Sequence, residues 1–169
     1  MAHEEIRSAI EKLSGSLAGT PSQTRRNPTA VATLKDGLYF QVVGPEGEVR
    51  TDMPPAVGGG ATGVSPGWLL RAGLASCTGS VIAMHAARVG VKLDTLEVTV
   101  SSESDVRGMI GVDDKISASL RGLRMNVKIA AANASAEQLR EIVQWADAHS
   151  PVASTIRESP ELRLEIDVV

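Results

Sequence analysis

The first third of the chain passes from helical to β periodicity. Over residues 3–18, apolar side chains stand three or four positions apart, which predicts an amphipathic helix. These apolar residues are Ile6, Ile10, Leu13 and Leu17. Residues 19–28 are rich in helix breakers and predict a linker. Three β-rich runs follow, separated by Gly-containing turn signals, and together they predict an antiparallel meander; they cover residues 29–35, 38–44 and 49–51.

A Pro/Gly-rich loop at residues 53–64 leads into the longest helix that the pattern predicts. The loop lacks the GxxxxGK[ST] pattern of a phosphate-binding loop, so we interpret it as a flexible surface connection. Ser65 is a favourable N-cap with Pro66 at the first helical position, and Gly90 suits the C-terminal end. Many small residues fill the helix interior, where each glycine costs about 1 kcal/mol relative to alanine. We therefore expect a central, buried helix packed closely against another backbone.

The second half predicts a long hairpin, a helix and a final strand. Residues 93–104 and 115–129 alternate apolar and polar positions, as paired strands do. Ser135 and Gln138 form a capping box for a helix that ends before Pro151. A short turn follows at 151–158, and residues 161–169 alternate like a last strand. This order of elements predicts a single-domain α+β fold, with an N-terminal helix and linker at 1–28 before the main domain at 29–169.

Composition and charge narrow the function classes. The formal net charge of −3 gives no general attraction to nucleic acid or to an anionic membrane. Aromatic residues make up only 2% of the chain, which argues against a base-stacking surface. A single cysteine allows no intramolecular disulfide, and the acidic N-terminal residues do not have the order of a secretory signal. With no apolar run of the roughly 20 residues that span a bilayer, we expect a cytoplasmic protein.

The candidate chemistry lies at Cys77, in the middle of the long helix. A lone cysteine on a buried helix is most often a small apolar side chain. As a nucleophile, its thiolate would need a nearby cation. His85 is eight residues on, about 12 Å along the helix axis, which is too far for direct pairing. His149 is interpreted as a helix C-terminal residue that interacts with the helix dipole. The histidines show no metal-ligand spacing, and we expect neither a metal nor a cofactor.

Two segments together resemble the signatures of the OsmC/Ohr superfamily. The first is Gly58-Gly59-Gly60-Ala61-Thr62-Gly63-Val64-Ser65-Pro66, followed by Leu69-Leu70 and Ala75-Ser76-Cys77, with Asp52 and Pro54 upstream. The second is His149-Ser150-Pro151-Val152-Ala153-Ser154-Thr155-Ile156. The resemblance implies an OsmC-like fold, with antiparallel sheets wrapped around a long central helix in an intertwined homodimer. It also implies a thiol peroxidase that reduces organic hydroperoxides in oxidative stress defence, as peroxiredoxins do on another scaffold.

This sequence departs from that family pattern at two positions. The family's second, resolving cysteine corresponds to Ser150, which cannot form a disulfide. Gly67 stands where the family often has an acid that orients an activating arginine. Arg50 is our candidate for that arginine, because it ends a predicted strand just before the glycine loop, with Arg25 and Arg26 as alternatives.

Three functions remain open from the sequence. The first is a one-cysteine hydroperoxide reductase, with Cys77, Ser150 and Arg50 as catalytic residues and an external thiol as reductant. The second is a non-catalytic OsmC-like dimer that binds a small apolar ligand or a partner. The third, ranked last, is a different enzyme that uses Ser150 with His149.

Overall fold

A computed structural model describes residues 2–22 and 24–169, so that Met1 and Gln23, which fall within the predicted N-terminal segment, lie outside the described residues. Helices and strands are mixed, as the α+β prediction requires. The helices are α1 (Ala2–Leu17), α2 (Pro66–Arg88), α3 (Val106–Met109), α4 (Ala136–His149) and α5 (Pro151–Glu158), with a 3₁₀ turn at Pro55–Val57. The strands are β1 (Val31–Asp36), β2 (Tyr39–Gly44), β3 (Gly47–Thr51), β4 (Thr95–Glu103) and β5 (Arg121–Ala130).

The predicted meander is confirmed as a three-stranded antiparallel sheet in the order β1-β2-β3. Val31 pairs with Val43 across the first hairpin, and Phe40 pairs with Thr51 across the second. Gly37 and Gly47 occupy the two turns with positive φ angles of 52° and 146°, which a residue with a Cβ seldom adopts. The predicted hairpin of the second half is confirmed in its pairing, since β4 pairs with β5 in a two-stranded sheet. Its second strand is shorter than predicted, because it begins at Arg121 and residues 115–120 form no strand.

The chain divides into two compact units that share the long elements. Among the described residues, the first unit comprises 2–13, 74–99 and 125–169, and the second comprises 14–22, 24–73 and 100–124. Within the first unit, α2 buries one stripe of residues spaced four apart, including Thr78, Ile82 and Ala86. The apolar core packs this stripe against α4; its buried members are Ile82, Ala86, Val91, Leu139, Ile142 and Ala146. Ala86 and Ala146 are completely buried, so small side chains are needed where the two helices face each other.

Within one chain, the burial of α2 and the need for its glycines are only partly accounted for. The helix is buried along one stripe only, because Met84 remains 46% exposed within the first unit. A Cβ added at Gly79 would lie 3.5 Å from Val98 Cγ2, an ordinary van der Waals contact. Close approach of a described backbone therefore does not explain that glycine.

The predicted final strand is wrong for the described chain. Residues 160–169 form no helix or strand, and their alternating apolar side chains are exposed; they are Leu162, Leu164, Ile166 and Val168. A strand is stabilised by its hydrogen-bonded neighbour, and no other part of the described chain pairs with this tail. The sequence has the apolar–polar alternation of a strand, but the described chain offers no neighbouring strand to pair with it.

Two short helices lie where the sequence predicted none. The segment between β4 and β5 contains α3, whose first turn is capped by the Asp105 carboxylate, which accepts the backbone N–H of Arg107. The turn predicted after α4 is the helix α5, in which Pro151 takes the first position and Ser150 is the N-cap. Neither was expected, because runs of four and eight residues are too short for apolar periodicity to reveal.

Candidate functional site

The glycine-rich loop in the second unit is organised by one buried carboxylate. Asp52 is only 4% exposed and accepts hydrogen bonds from the backbone N–H groups of Met53, Gly60 and Thr62, at 2.7, 3.1 and 3.0 Å. The Thr62 hydroxyl donates a fourth bond, 2.9 Å long. These bonds, above all that from the Thr62 backbone N–H, hold the pKa of Asp52 below its ordinary value. The loop is thus ordered, and our interpretation of it as a flexible connection is wrong.

Two of the loop glycines stand where no side chain fits. A Cβ at Gly59 would lie 1.9 Å from the Met53 carbonyl oxygen, and one at Gly63 would lie 2.6 Å from that of Arg50. The Val64 N–H also donates to the Arg50 carbonyl, and the Asp52 N–H to that of Val64, which fastens the end of the loop to the end of β3. The glycine signature therefore has a steric cause.

Cys77 and Ser150 meet in the first unit although 73 positions separate them in the sequence. Ser150 is fully buried, and its hydroxyl lies 3.4 Å from the Cys77 sulfur. The buried Thr78 hydroxyl donates to Ser150 Oγ at 3.1 Å, and the Ala153 backbone N–H approaches the same oxygen at 3.5 Å. Because Ser150 accepts both of these bonds, its single hydroxyl proton is directed at the sulfur. Cys77 therefore receives a fixed hydrogen-bond donor at the N-terminal end of α5.

Thr78 is the functional candidate that sequence reasoning missed. It follows Cys77 directly in the sequence, but it lies on the buried stripe of α2. Its hydroxyl donates a hydrogen bond to the Ser150 hydroxyl oxygen. The signal was weak, because a threonine in a helix interior usually bonds a backbone carbonyl one turn back. Only the position of Ser150 in space shows what this hydroxyl does.

His149 does not pair with Ser150. Its Nδ1 lies 2.7 Å from the Trp145 carbonyl oxygen, and since a carbonyl only accepts, Nδ1 carries the proton. This contact in the last turn of α4 agrees with our interpretation of His149 as a helix C-terminal residue. Ser150 directs its own proton to Cys77, so the third hypothesis, a serine nucleophile with His149 as its base, is wrong for this arrangement.

An open cavity of about 610 Å³ lies beside Cys77 within the first unit. Its wall is formed by Ile10, Cys77, Ser80, Val81, Met84, His85, Arg88, Trp145, His149 and Pro151. His85 and His149 both stack on Trp145, with ring centroids 4.0 and 3.8 Å from that of the indole, and we call these three rings the aromatic stack. Burial, followed by the charges of Arg88 and His149, lowers the pKa of His85, and its buried Nδ1 has no hydrogen-bond partner among the described residues.

The arginine predicted to activate Cys77, Arg50, lies in the second unit. The Arg50 guanidinium lies 4.7 Å from the centroid of the Tyr39 ring, a cation–π contact. A side chain at Gly67 would meet the Arg71 guanidinium at 3.7 Å, so the position of the family's acid faces Arg71. Arg71 donates to the Ser102 hydroxyl at 3.1 Å. The assignment of Arg50 as the activating residue stays a prediction, as do the alternatives Arg25 and Arg26.

Two observations on the described residues concern metal-ligating groups and membrane-spanning helices. Over residues 2–22 and 24–169, no three His, Cys, Asp or Glu side chains are grouped so as to hold a metal ion. None of the helices described there has the length and apolar character required to cross a membrane.

Comparison with known proteins identifies the class of protein to which this chain belongs. The family of OsmC-like proteins matches residues 58–165, more than half of the chain, and this chain belongs to that family. No curated protein matches the sequence. The matched segment contains Cys77, Ser150 and the loop from Gly58 onward, so most of the residues that carried the resemblance lie within it, while Asp52 and Pro54 precede it.

Solved structures show the same fold at low sequence identity. An OsmC-like protein from Mycoplasma pneumoniae is 18% identical, with a TM-score of 0.66, over 79% of this chain and 89% of that one. The organic hydroperoxide resistance protein OsmC of Legionella pneumophila is 20% identical, with a TM-score of 0.53, over 80% and 92% of the two chains. An organic hydroperoxide resistance protein from Elizabethkingia anophelis is 19% identical, with a TM-score of 0.59, over 80% and 91%. The OsmC-like fold predicted from the sequence is thereby confirmed.

Proposed function

We propose that this protein is a one-cysteine organic hydroperoxide reductase with Cys77 as the nucleophile. The observation that carries the proposal is the Ser150 hydroxyl, which is fully buried and directs its proton at the Cys77 sulfur. The sulfur also lines a cavity whose wall includes several apolar side chains, where an organic hydroperoxide can be desolvated. Membership of the family, and structural neighbours named for organic hydroperoxide resistance, support the same chemistry.

The proposed reaction has two steps that balance. The Cys77 thiolate attacks the peroxide and breaks the O–O bond, so that thiolate, ROOH and one proton give a sulfenic acid and ROH. Two molecules of an external thiol then return the sulfenic acid to the thiol, releasing a disulfide and water. Arg50 is the proposed cation for the thiolate, with Arg25 and Arg26 as alternatives. No second cysteine is needed for this cycle.

The role proposed for Ser150 is to stabilise the thiolate. A hydrogen bond to a charged group contributes about 1.5–3 kcal/mol. Ser150→Ala is therefore expected to lower the rate of Cys77 alkylation by iodoacetamide at pH 7 by about tenfold or more, and the rate of reaction with cumene hydroperoxide by a similar factor. Thr78→Val, which leaves the Ser150 hydroxyl free to rotate, is expected to give an intermediate loss. Stopped-flow and alkylation kinetics measure both effects.

Ser154→Ala is the matched control for that experiment. Ser154 lies on the same helix, is half-buried, and its backbone N–H donates to the Ser150 carbonyl whatever side chain it carries. Its replacement is expected to leave the alkylation rate unchanged. Equal rates for the wild type and Ser150→Ala, at equal melting temperature, would show that the bond to sulfur has no effect on reactivity.

The assembly proposed for this activity is a homodimer in the cytoplasm. Its support is the exposed apolar tail at 162–168, which has no strand partner in the described chain, together with β1, where Val31 and Leu34 are more than half exposed. Pairing with a second copy would cover such surfaces. The substrate and the external thiol are the other partners that we propose, with no role for nucleic acid or membrane.

Chemical trapping tests the proposed function directly. Wild-type protein treated with one equivalent of cumene hydroperoxide in the presence of dimedone is expected to gain one dimedone adduct on Cys77, detected by mass spectrometry of the peptide. An added dithiol is expected to suppress the adduct and to support continuous loss of hydroperoxide. The absence of both an adduct and hydroperoxide consumption would refute the reductase.

The second candidate is a non-catalytic dimer that binds a small apolar ligand. The cavity favours it, because Ile10, Val81, Met84 and Pro151 all contribute to its wall. In that case Cys77 forms part of the wall and undergoes no redox cycle. The trapping experiment separates the two candidates, since only the reductase forms a sulfenic acid.

A further inference from the structure

The N-terminal helix α1 forms part of the wall of the Cys77 cavity. Residues 2–13 belong to the same compact unit as the cavity, and α1 contributes Ile10 to the described wall. The other wall residues come from α2, from the end of α4 and from the start of α5. Because α1 ends at Leu17 and the family match begins at residue 58, this part of the wall lies outside the matched segment.

α1 is held on this unit along one narrow stripe. His3, Ile6 and Ile10 follow one another at intervals of three and four residues, and each of them is half-buried. The other side chains that the structure describes in α1 are exposed. The Arg7–Glu11 ion pair, 2.9 Å long, lies within the helix and does not fasten it to a neighbouring element. The side-chain burial that holds α1 in place is therefore small.

The segment after α1 places little constraint on the helix. Residues 20–22 and 24–30 form neither helix nor strand, and all of them are exposed. Elements with few buried apolar contacts open at the low end of a protein's local stability. Isolated helices of about 12–15 residues are marginal in water, so the 16-residue α1 is expected to lose part of its helical structure when it leaves the cavity. Such an opening leaves the core between α2 and α4 intact.

We propose that α1 is a lid on the Cys77 cavity, and that Ile10 sets the size of the molecules that reach the sulfur while the lid is closed. Small molecules enter the open cavity of about 610 Å³ with α1 in place. Wider ones reach the sulfur after α1 detaches. The consequence for catalysis, a slower reaction with bulky hydroperoxides, rests on the proposed function. The lid itself is defined by access to the thiol.

Labelling of Cys77, the only cysteine of the chain, measures this access without peroxide chemistry. N-methylmaleimide and N-(1-pyrenyl)maleimide share a reactive group and differ in width. Ile10→Ala is expected to raise the rate with the pyrene reagent about tenfold, because it shortens the side chain at the wall and weakens the docking of α1. The rate with the methyl reagent is expected to change by less than about twofold.

Ile6→Ala separates a moving lid from a fixed wall. Ile6 lies one turn before Ile10 on the docked stripe, but it is not part of the described cavity wall. If α1 detaches as a unit, Ile6→Ala is expected to accelerate the pyrene reagent nearly as much as Ile10→Ala does. Leu17→Ala is the matched control, since Leu17 is 57% exposed, and it is expected to leave both rates unchanged. Acceleration by Ile10→Ala alone, or equal acceleration of both reagents, would overturn the lid.

Peroxide kinetics distinguish a failure of the lid from a failure of the proposed function. In an active reductase, Ile6→Ala and Ile10→Ala are expected to raise kcat/KM for cumene hydroperoxide about tenfold and to leave that for hydrogen peroxide unchanged. The labelling pattern without peroxide consumption would support a lid on a non-catalytic protein. Peroxide consumption with equal labelling rates in the wild type and both variants would overturn the lid and leave the reductase in place.

Hydrogen exchange checks that the opening is local. By mass spectrometry of peptides, the α1 amides of the wild type are expected to exchange before those of α4, and earlier still in Ile6→Ala. The α4 amides and the melting temperature are expected to stay unchanged in that variant, because the core does not open. Equal protection of α1 and α4 in the wild type would contradict a lid that detaches.

Discussion

Replacing Ser150 with cysteine is expected to change the product of the peroxide reaction from a sulfenic acid to an intramolecular disulfide. The Ser150 oxygen lies 3.4 Å from the Cys77 sulfur, and a disulfide needs about 2.05 Å, so a modest side-chain rotation closes the gap. The introduced thiol would attack the sulfenic sulfur, form the S–S bond and release water. The variant would thereby regain the resolving step that the native chain lacks.

Thiol titration after one equivalent of hydroperoxide measures this result. Ser150→Cys is expected to show two free thiols before treatment and none afterwards, with the dimedone adduct suppressed. Thr155→Cys is the control, because Thr155 is an exposed residue on the same helix, and its thiol is expected to stay free. One thiol left in Ser150→Cys, together with a dimedone adduct on Cys77, would show that the two side chains cannot approach closely enough to bond.

Replacing Asp52 with alanine is expected to give the largest loss of stability of any change considered. The substitution leaves three backbone N–H groups and the Thr62 hydroxyl without their common acceptor. These part-buried donors lose their acceptor and the loop loses its bonds to β3, so we expect the melting temperature to fall by roughly 10 °C. Asp52→Asn keeps one carbonyl acceptor and is expected to lose less. Differential scanning calorimetry measures both variants.

The loss of stability at acid pH is a second test of the role of the Asp52 carboxylate. The folded-state pKa of Asp52 is lowered, so its contribution to stability is complete above the unfolded-state pKa near 3.8 and is lost as the pH falls through the folded value. Asp52→Asn is therefore expected to lose less stability than the wild type between pH 5 and pH 2. Asp36→Ala, at an exposed position at the end of β1, is the control and is expected to melt like the wild type. A normal melting temperature for Asp52→Ala would contradict the role of this carboxylate.

Much of the fold was accessible from the sequence because its signals are local. Ser65 with Pro66 and Ser135 with Gln138 mark the starts of α2 and α4, and the two Gly turns divide the meander correctly. The last strand failed for the opposite reason. Alternation at 161–169 shows which side chains would share a face, but pairing depends on a neighbour that no local pattern specifies.

The candidate site was only half visible in the sequence. The two family-like signatures placed Cys77 and Ser150 at one site, and the structure brings their side chains into contact. The direction of that bond could not be foreseen, because it depends on Thr78 and on the N-terminal end of α5. The pairing of Ser150 with His149 failed because neighbours in sequence can direct their side chains to different partners.

The exposed tail at 160–169 has a consequence for the newly made chain. Its apolar residues are exposed and alternate with polar ones, a pattern that would place them on one face of a strand, and unpaired apolar strands are templates for aggregation. Between them stand Glu161, Arg163, Glu165 and Asp167, mostly of one sign. Like charges repel when identical strands stack in register, so we expect these four residues to oppose the stacking of many identical tails.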